Sequence, residues 1–206
     1  MVTLNGTLKI ESFYEVIFQL QPIQIHEDTQ KTVERSFEFL KVFSENKVIY
    51  GVNTGFGPMA QYKIKDSERK QLQYNLIRSH SSGTGNTIPP MYVKASMLTR
   101  LNTLSLGKSG VHQSVIELMT TLINKNITPI IYEHGGVGAS GDLVQLAHLA
   151  LTLIGEGEVF YKGERHNTED VFKAENLTPI TIELREGLAL MNGTSVMTGI
   201  GRVNTR

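Results

Sequence analysis

The 206-residue sequence has no cysteine. Disulfides and thiolate metal sites are therefore excluded, a composition that suits a reducing compartment such as the cytoplasm. Net charge is also missing: 20 basic and 20 acidic residues give a formal net charge of +0. Nothing in that balance calls for a polyanionic partner, whether nucleic acid or an acidic membrane. No apolar run is long enough to span a bilayer, and residues 1–20 are too polar for a signal peptide. The four formal glycosylation sequons, at Asn5, Asn126, Asn176 and Asn192, are chance matches in a chain that is not secreted. His26, His112, His134, His148 and His166 form no recognisable metal spacing, and His134 and His148 are too far apart to share one helical face. They are expected to be structural or solvated, with no metal bound. No internal repeat or low-complexity tract is visible. What remains is a chain, 40% hydrophobic and 19% charged, able to bury a core as one domain or two small ones.

The hydrophobic spacing is mainly helical. Asp28 is placed to cap a helix in which Val33, Phe37, Leu40 and Phe43 recur at helical intervals, ending near Asn46. A short extended run over residues 47–50 follows. Asp66 starts a second helix with Leu72, Leu76 and His80 at four-residue steps, which puts His80 on an apolar stripe. Pro89 and Pro90 open a third helix that Gly107 closes, and residues 112–125 form another with Val115, Leu118, Met119 and Leu122 inside. Leu143, Leu146, Leu149, Ala150 and Leu153 make the next helix mostly apolar and hence buried. Residues 158–184 read as short strands and loops, with a hairpin turn at Tyr161-Lys162-Gly163-Glu164. From Thr194 onward Val196, Met197, Ile200 and Val203 begin the apolar face of a helix, for which the sequence up to Arg206 offers no partner and no capping signal.

The densest signal lies ahead of the buried helix, where Gly135, Gly136, Gly138 and Gly141 fall within seven residues. Glycine permits backbone angles and close approaches that a side chain forbids, at an entropic cost that requires some use. One use is phosphate binding, because residues 136–141 satisfy G-x-G-x-x-G, follow the strand-like Pro129-Ile130-Ile131-Tyr132 and open a helix. The strand-like residues 158–161 even lead to Glu164, about where a ribose-binding acid belongs. Against it, Asp142 puts a negative charge where a pyrophosphate needs the positive end of the helix dipole, and no second βαβ unit follows. A Walker A loop at Gly107-Lys108-Ser109 fails because Asn102 stands where its first glycine should be.

A second use enters by resemblance. The string G-G-V-G-A-S-G-D-L over residues 135–143 closely resembles the prosthetic-group signature of the aromatic amino acid ammonia-lyases, the histidine ammonia-lyase family. Residues 50–57, Y-G-V-N-T-G-F-G, resemble the family's tyrosine loop, and residues 75–83, N-L-I-R-S-H-S-S-G, its substrate-selectivity helix. Residues 100–110 and 186–194 match two further blocks in the expected order, so the similarity spans residues 48–194. The resemblance implies a mainly α fold with a few short strands, the N-terminal MIO-bearing region of the fumarase/aspartase-like helical ammonia-lyase fold. Residues 1–206 would be the N-terminal portion of an enzyme more than twice as long, cut before the central helical bundle.

The same resemblance implies a chemistry. If the amide nitrogen of Gly141 closes on the carbonyl carbon of Ala139, loss of water from the ring and of the Ser140 hydroxyl leaves 4-methylidene-imidazol-5-one (MIO). No external cofactor is then needed. Tyr50 resembles the residue that removes the β-proton as general base; alone it would read as a core tyrosine at a strand end, but the following N-T-G-F-G accompanies it. The glycines of that loop suggest a lid over bound substrate. Ser79 and His80 resemble the pair that meets the substrate ring, since an imidazole can serve another imidazole or a phenol. A Ser-His pair is commoner in the family's histidine enzymes but also occurs in some bacterial tyrosine lyases, so L-histidine and L-tyrosine both stand. Asn192 resembles the asparagine beside the prosthetic group, or else an N-cap ahead of Ser195.

Val144-Gln145 departs from the Ala-Pro that often follows the signature. The resemblance places further tyrosine, glutamine, arginine and glutamate residues of the pocket beyond residue 206, partly on neighbouring subunits of a homotetramer, so the isolated fragment is expected to be inactive. The expected reaction is non-oxidative elimination of ammonia, giving urocanate or p-coumarate. A 2,3-aminomutase using the same ring, and a non-catalytic structural fragment of the lyase, are the alternatives.

Overall fold

The computed structural model describes residues 1–45, 47–138 and 140–205, the side chain of Asp66 excepted. Its elements follow in the order β1 Val2–Leu4, α1 Ile10–Phe18, β2 Ile23–Ile25, α2 Glu27–Ser44, α3 Asp66–His80, β3 Thr84–Thr87, α4 Pro90–Ser105 and α5 Gln113–Asn124. Then come β4 Thr128–Pro129, β5 Tyr132–His134, α6 Leu143–Leu153, β6 Glu158–Tyr161, β7 Glu164–Asn167, α7 Thr168–Ala174, α8 Glu186–Met191 and α9 Ser195–Asn204. Among the described residues the fold is mainly α, with three small sheets.

Helix α4 is the centre of the packing. Val93, Met97, Leu98, Leu101 and Leu104 are all buried, and so are Ser96 and Arg100 on other faces of the same helix. A helix buried nearly all round must be covered on all sides; α5, α9, α1 and α2 supply the cover. Each fully buried leucine or methionine contributes roughly 1.5–3 kcal/mol of transfer free energy. Helix α5 buries Val115, Leu118, Met119 and Leu122, and α6 buries Leu146, Leu149, Ala150 and Leu153, as their spacing predicts. Pro90 opens α4, and Gly107 follows it in a left-handed conformation at φ +64°.

Several expectations are corrected. The cap of α2 is His26, whose Nδ1 accepts from the Asp28 amide at 3.2 Å, rather than Asp28. Phe43 is exposed and stacks on Phe39, while Ser44 takes the buried position; the helical period has drifted past it. The expected end of that helix at Asn46 lies outside the described residues. Residues 47–50 are a loop and not a strand. The run 129–132 is divided, Pro129 pairing with β6 and Tyr132 with β3. Residues 158–184 hold the expected hairpin, turned by Lys162 at φ +51° and Gly163 at φ +90°, but also helix α7.

Helix α9 does find a partner. Val196, Gly199 and Val203 are buried against α4, and a Cβ at Gly199 would lie 2.6 Å from the Ser96 amide nitrogen. The absent side chain lets the two backbones meet. Met197 points outward and is 63% exposed. Among the described residues, no helix is long and apolar enough to cross a membrane.

Candidate active site

The glycine-crowded turn folds onto itself, Gly138 bridging Gly141, and Gly141 in turn bridges Gly193 ahead of α9. Gly141 has φ +79°, and a Cβ there would sit 2.2 Å from the Gly193 carbonyl oxygen. No other residue fits. The Asp142 amide donates to that same carbonyl at 2.8 Å. Ser140 is exposed at the tip of the turn; Ala139, the first residue of the expected ring, lies outside the described residues.

The Asp142 carboxylate does not face α6. Its Oδ2 accepts from the amides of Val196 at 2.8 Å and Met197 at 3.0 Å, so it caps α9 from a distant part of the chain. The strands flanking α6 are also wrong for a dinucleotide site. β5, directly before α6, pairs antiparallel with β3, and β6 after it lies antiparallel between β4 and β7, whereas a βαβ unit needs parallel neighbours.

A cleft of about 460 Å³ brings Tyr50, His80, Ser140 and Asn192 together. Tyr50 sits on the loop after α2, half exposed, its ring edge-on to Phe56 at 5.9 Å and its hydroxyl accepting from the Gly57 amide at 3.3 Å. Asn53 holds this loop from beneath. It is 1% exposed, accepts from the Ile49 amide at 2.7 Å and donates to the Lys47 carbonyl at 2.6 Å. Buried Gln73 ties the same loop to α8, donating to the Gly51 carbonyl at 3.1 Å and accepting from the Leu188 amide at 3.3 Å.

His80 ends α3. Its Nδ1 lies 2.9 Å from the Leu76 carbonyl oxygen. A carbonyl can only accept, so in the neutral ring the proton belongs on Nδ1 and Nε2 is left as an acceptor. Ser79 is exposed outside the cleft; its hydroxyl donates to the same carbonyl at 3.1 Å and lies 3.1 Å from His80 Nδ1. The structure thus brings His80 to the cleft and leaves Ser79 bracing it.

Asn192 is the C-cap of α8, while Thr194 occupies the N-cap position of α9. Its Nδ2 donates to Ser140 Oγ at 2.5 Å. Arg100 fixes the segment from inside: its Nη2 donates to the carbonyls of Ala189 and, at 2.9 Å, Asn192. A Cβ on Gly193 would lie 2.3 Å from Arg100 Nη1. Burial lowers the Arg100 pKa to about 10, with the charge of Asp142 opposing the shift.

Sequence reasoning missed several residues here. Arg185 lines the cleft, its Nε without a hydrogen-bond partner among the described residues, and burial pulls its pKa down against the raising effect of Glu186. Its place directly before the matched block 186–194 was the available signal. Glu186 is fully buried and accepts from the amides of His112, Glu183 and Leu184, so it organises the chain ahead of α8. His112 caps α5 and His148 Nε2 accepts from the Gly83 amide at 3.1 Å; both have structural work.

Antiparallel flanking strands and a serine held by an asparagine in a glycine turn set this helical fold apart from nucleotide binders. Comparison with known proteins gives the class: the family model for aromatic amino acid lyases matches residues 8–206, and the chain belongs to that family. It is 43% identical over 205 residues to the histidine ammonia-lyase of Geobacillus sp. (strain WCH70), covering 98% of this chain and 40% of that protein. With a probable histidine ammonia-lyase of Thermoplasma acidophilum it shares 41% over 202 residues, 97% of this chain and 41% of the relative. Among solved structures, tyrosine aminomutase from Streptomyces globisporus superposes with a TM-score of 0.91 at 37% identity, covering 98% of this chain and 38% of that one. The chain therefore spans about two fifths of the length of the relatives it matches.

Proposed function

We propose that this chain is the N-terminal portion of a cytoplasmic, homotetrameric ammonia-lyase. The complete enzyme eliminates ammonia from an aromatic L-amino acid, taking L-histidine to urocanate or L-tyrosine to p-coumarate. The observation that carries the reading is the hydrogen bond from Asn192 to Ser140 Oγ, in a cleft that also holds Tyr50 and His80.

Ala139, Ser140 and Gly141 would form the prosthetic group. The turn fits it, because Gly141 and Gly193 leave no room for side chains and Ser140 presents its hydroxyl to a neutral amide donor. MIO would supply an electron-poor alkene carbon that draws electron density from the substrate amine. Around it, Tyr50 takes the β-proton as general base. His80 offers Nε2 as acceptor to an imidazole N–H or a phenol O–H, which is why it serves either substrate. Arg185 gives the cleft its guanidinium and attracts the substrate carboxylate. Asn192 orients the serine-derived atom.

One specific observation favours a second reading. The fit to a tyrosine aminomutase supports a 2,3-aminomutase, which returns the ammonia to the β-carbon. Absorbance assays of the full-length protein with L-histidine and with L-tyrosine separate the lyase substrates, and analysis of β-amino acid product detects the mutase. If no acrylate and no β-amino acid forms from any aromatic amino acid, the reading fails.

A further inference from the structure

A second cleft, of about 400 Å³, shares no lining residue with the first. It lies where the end of α1, the start of α4, the residues after α5 and the β6–β7 turn converge. Leu20, Met91 and Phe160 give it apolar walls. Its size is that of a small-molecule site.

The polar groups in this cleft are unbalanced. Lys94 of α4 is only 6% exposed, and its Nζ donates to Asn126 Oδ1 at 2.6 Å. Asn126 is presented by a left-handed backbone at φ +53°, which asparagine tolerates well. An ammonium has three donors, and Asn126 satisfies one of them. Among the described residues no carboxylate lies within ion-pair distance of Lys94, and burial pushes its pKa down. Thr128, 3% exposed and also lining the cleft, has a hydroxyl with no hydrogen-bond partner among the described residues. Lys162 at the β6–β7 turn already faces Glu175 at 3.8 Å. A buried cation without a counter-charge, next to an orphaned hydroxyl and apolar walls, is a costly arrangement unless something anionic completes it.

We propose that this cleft binds a small monocarboxylate with an apolar body, its carboxylate meeting Lys94 and its body lying against Leu20, Met91 and Phe160. A single unmatched cation suits one negative charge. The dry walls disfavour a phosphate, which keeps two charges and needs several donors. The inference is independent of the ammonia-lyase reading, because none of its residues takes part in that chemistry.

Calorimetric titration of the full-length protein with octanoate, and with 1-octanol as the neutral counterpart, tests the site. Octanoate is expected to bind saturably, one per chain, and more tightly than the alcohol. Lys94→Met keeps an unbranched apolar side chain in place and should weaken octanoate by about tenfold or more while leaving the alcohol unchanged. Leu20→Asp serves as a second variant that spares Lys94. Leu20 is exposed and already at φ +55°, where aspartate is less strained than leucine, so the fold should hold while a negative charge at the mouth repels octanoate. Ser140→Ala should bind octanoate as the parent does, which separates this cleft from the first. Absence of saturable binding, equal affinity for acid and alcohol, or undiminished octanoate binding by Lys94→Met would each overturn the proposal.

Discussion

The side-chain amide of Asn192 donates to the Ser140 hydroxyl at 2.5 Å, joining residues 52 apart in sequence. Neither is held by its own element alone. Ser140 rides on a turn locked by the Gly141–Gly193 bridge, and Asn192 ends a helix whose last carbonyls are clamped by Arg100. The chemistry proposed for the serine therefore depends on α4, in the middle of the core.

If the ring forms from residues 139–141, the mature full-length protein is lighter than its sequence by two water molecules. Ser140→Ala should abolish both that loss and turnover, since no hydroxyl remains to be eliminated. Intact-protein mass spectrometry beside an activity assay reads both. Retained turnover in this variant would remove Ser140 from its role.

Replacing Arg100 tests the clamp. Arg100→Met leaves the carbonyls of Ala189 and Asn192 without their donor in a dry region, at about 1–3 kcal/mol for each unsatisfied group. The urea midpoint should fall accordingly, and the mass loss should become incomplete as Asn192 drifts from Ser140. A variant with lowered stability but complete mass loss would show that Arg100 serves folding alone.

Asp142 is predicted to stabilise α9 rather than α6. Asp142→Ala removes the acceptor of the Val196 and Met197 amides and should cost about 1–2 kcal/mol, the size of a lost N-cap. Asp142→Asn keeps an oxygen there and should cost less. Hydrogen exchange locates the effect: protection should drop first at the start of α9, and a drop confined to α6 would contradict the assignment.

Stability should also carry an acid limb from His148. Burial holds its pKa below the ordinary 6.5, and its Nε2 must be unprotonated to accept from Gly83. As pH falls below 6.5 the unfolded chain takes up this proton while the folded chain resists it. Stability then declines until the lower folded pKa is passed, and above 6.5 the contribution is whole. The slope due to this one group is at most about 1.4 kcal/mol per pH unit. His148→Gln keeps an acceptor but cannot titrate, so urea midpoints measured across this window should lose that part of their pH dependence.

What was legible in the sequence was whatever repeats at helical spacing or sits in a matched block. Helices α5 and α6 follow from their own apolar periods, and Tyr50, His80, Ser140 and Asn192 each stand in a motif. Strand β2 is three residues long, pairs with β1, and is tied down by Asn124, which accepts from the Ile23 amide and donates to its carbonyl from 101 residues away. No local pattern encodes such a contact. Helix α7 is too short for its buried Thr168, Val171 and Phe172 to show a period. Arg185 escaped because a single cation has no motif until the fold sets it in a cleft, whereas Ser79 and His80 stand in one matched block but, as successive helical residues, do not share a face, and of the two His80 lines the cleft.

Tyr50 supplies the most direct test of the proton transfer. Among the described residues its hydroxyl has only the long bond from the Gly57 amide, and its ring is half exposed, so Tyr50→Phe should leave folding nearly unchanged. In the full-length enzyme kcat should fall by about 10²–10⁴, the range of a lost general base, with KM altered far less. The mass loss at residues 139–141 should persist, because removal of the phenol touches none of the ring's atoms. A variant that keeps its turnover would move the base elsewhere in the cleft, while one that loses the ring as well would make Tyr50 part of its formation.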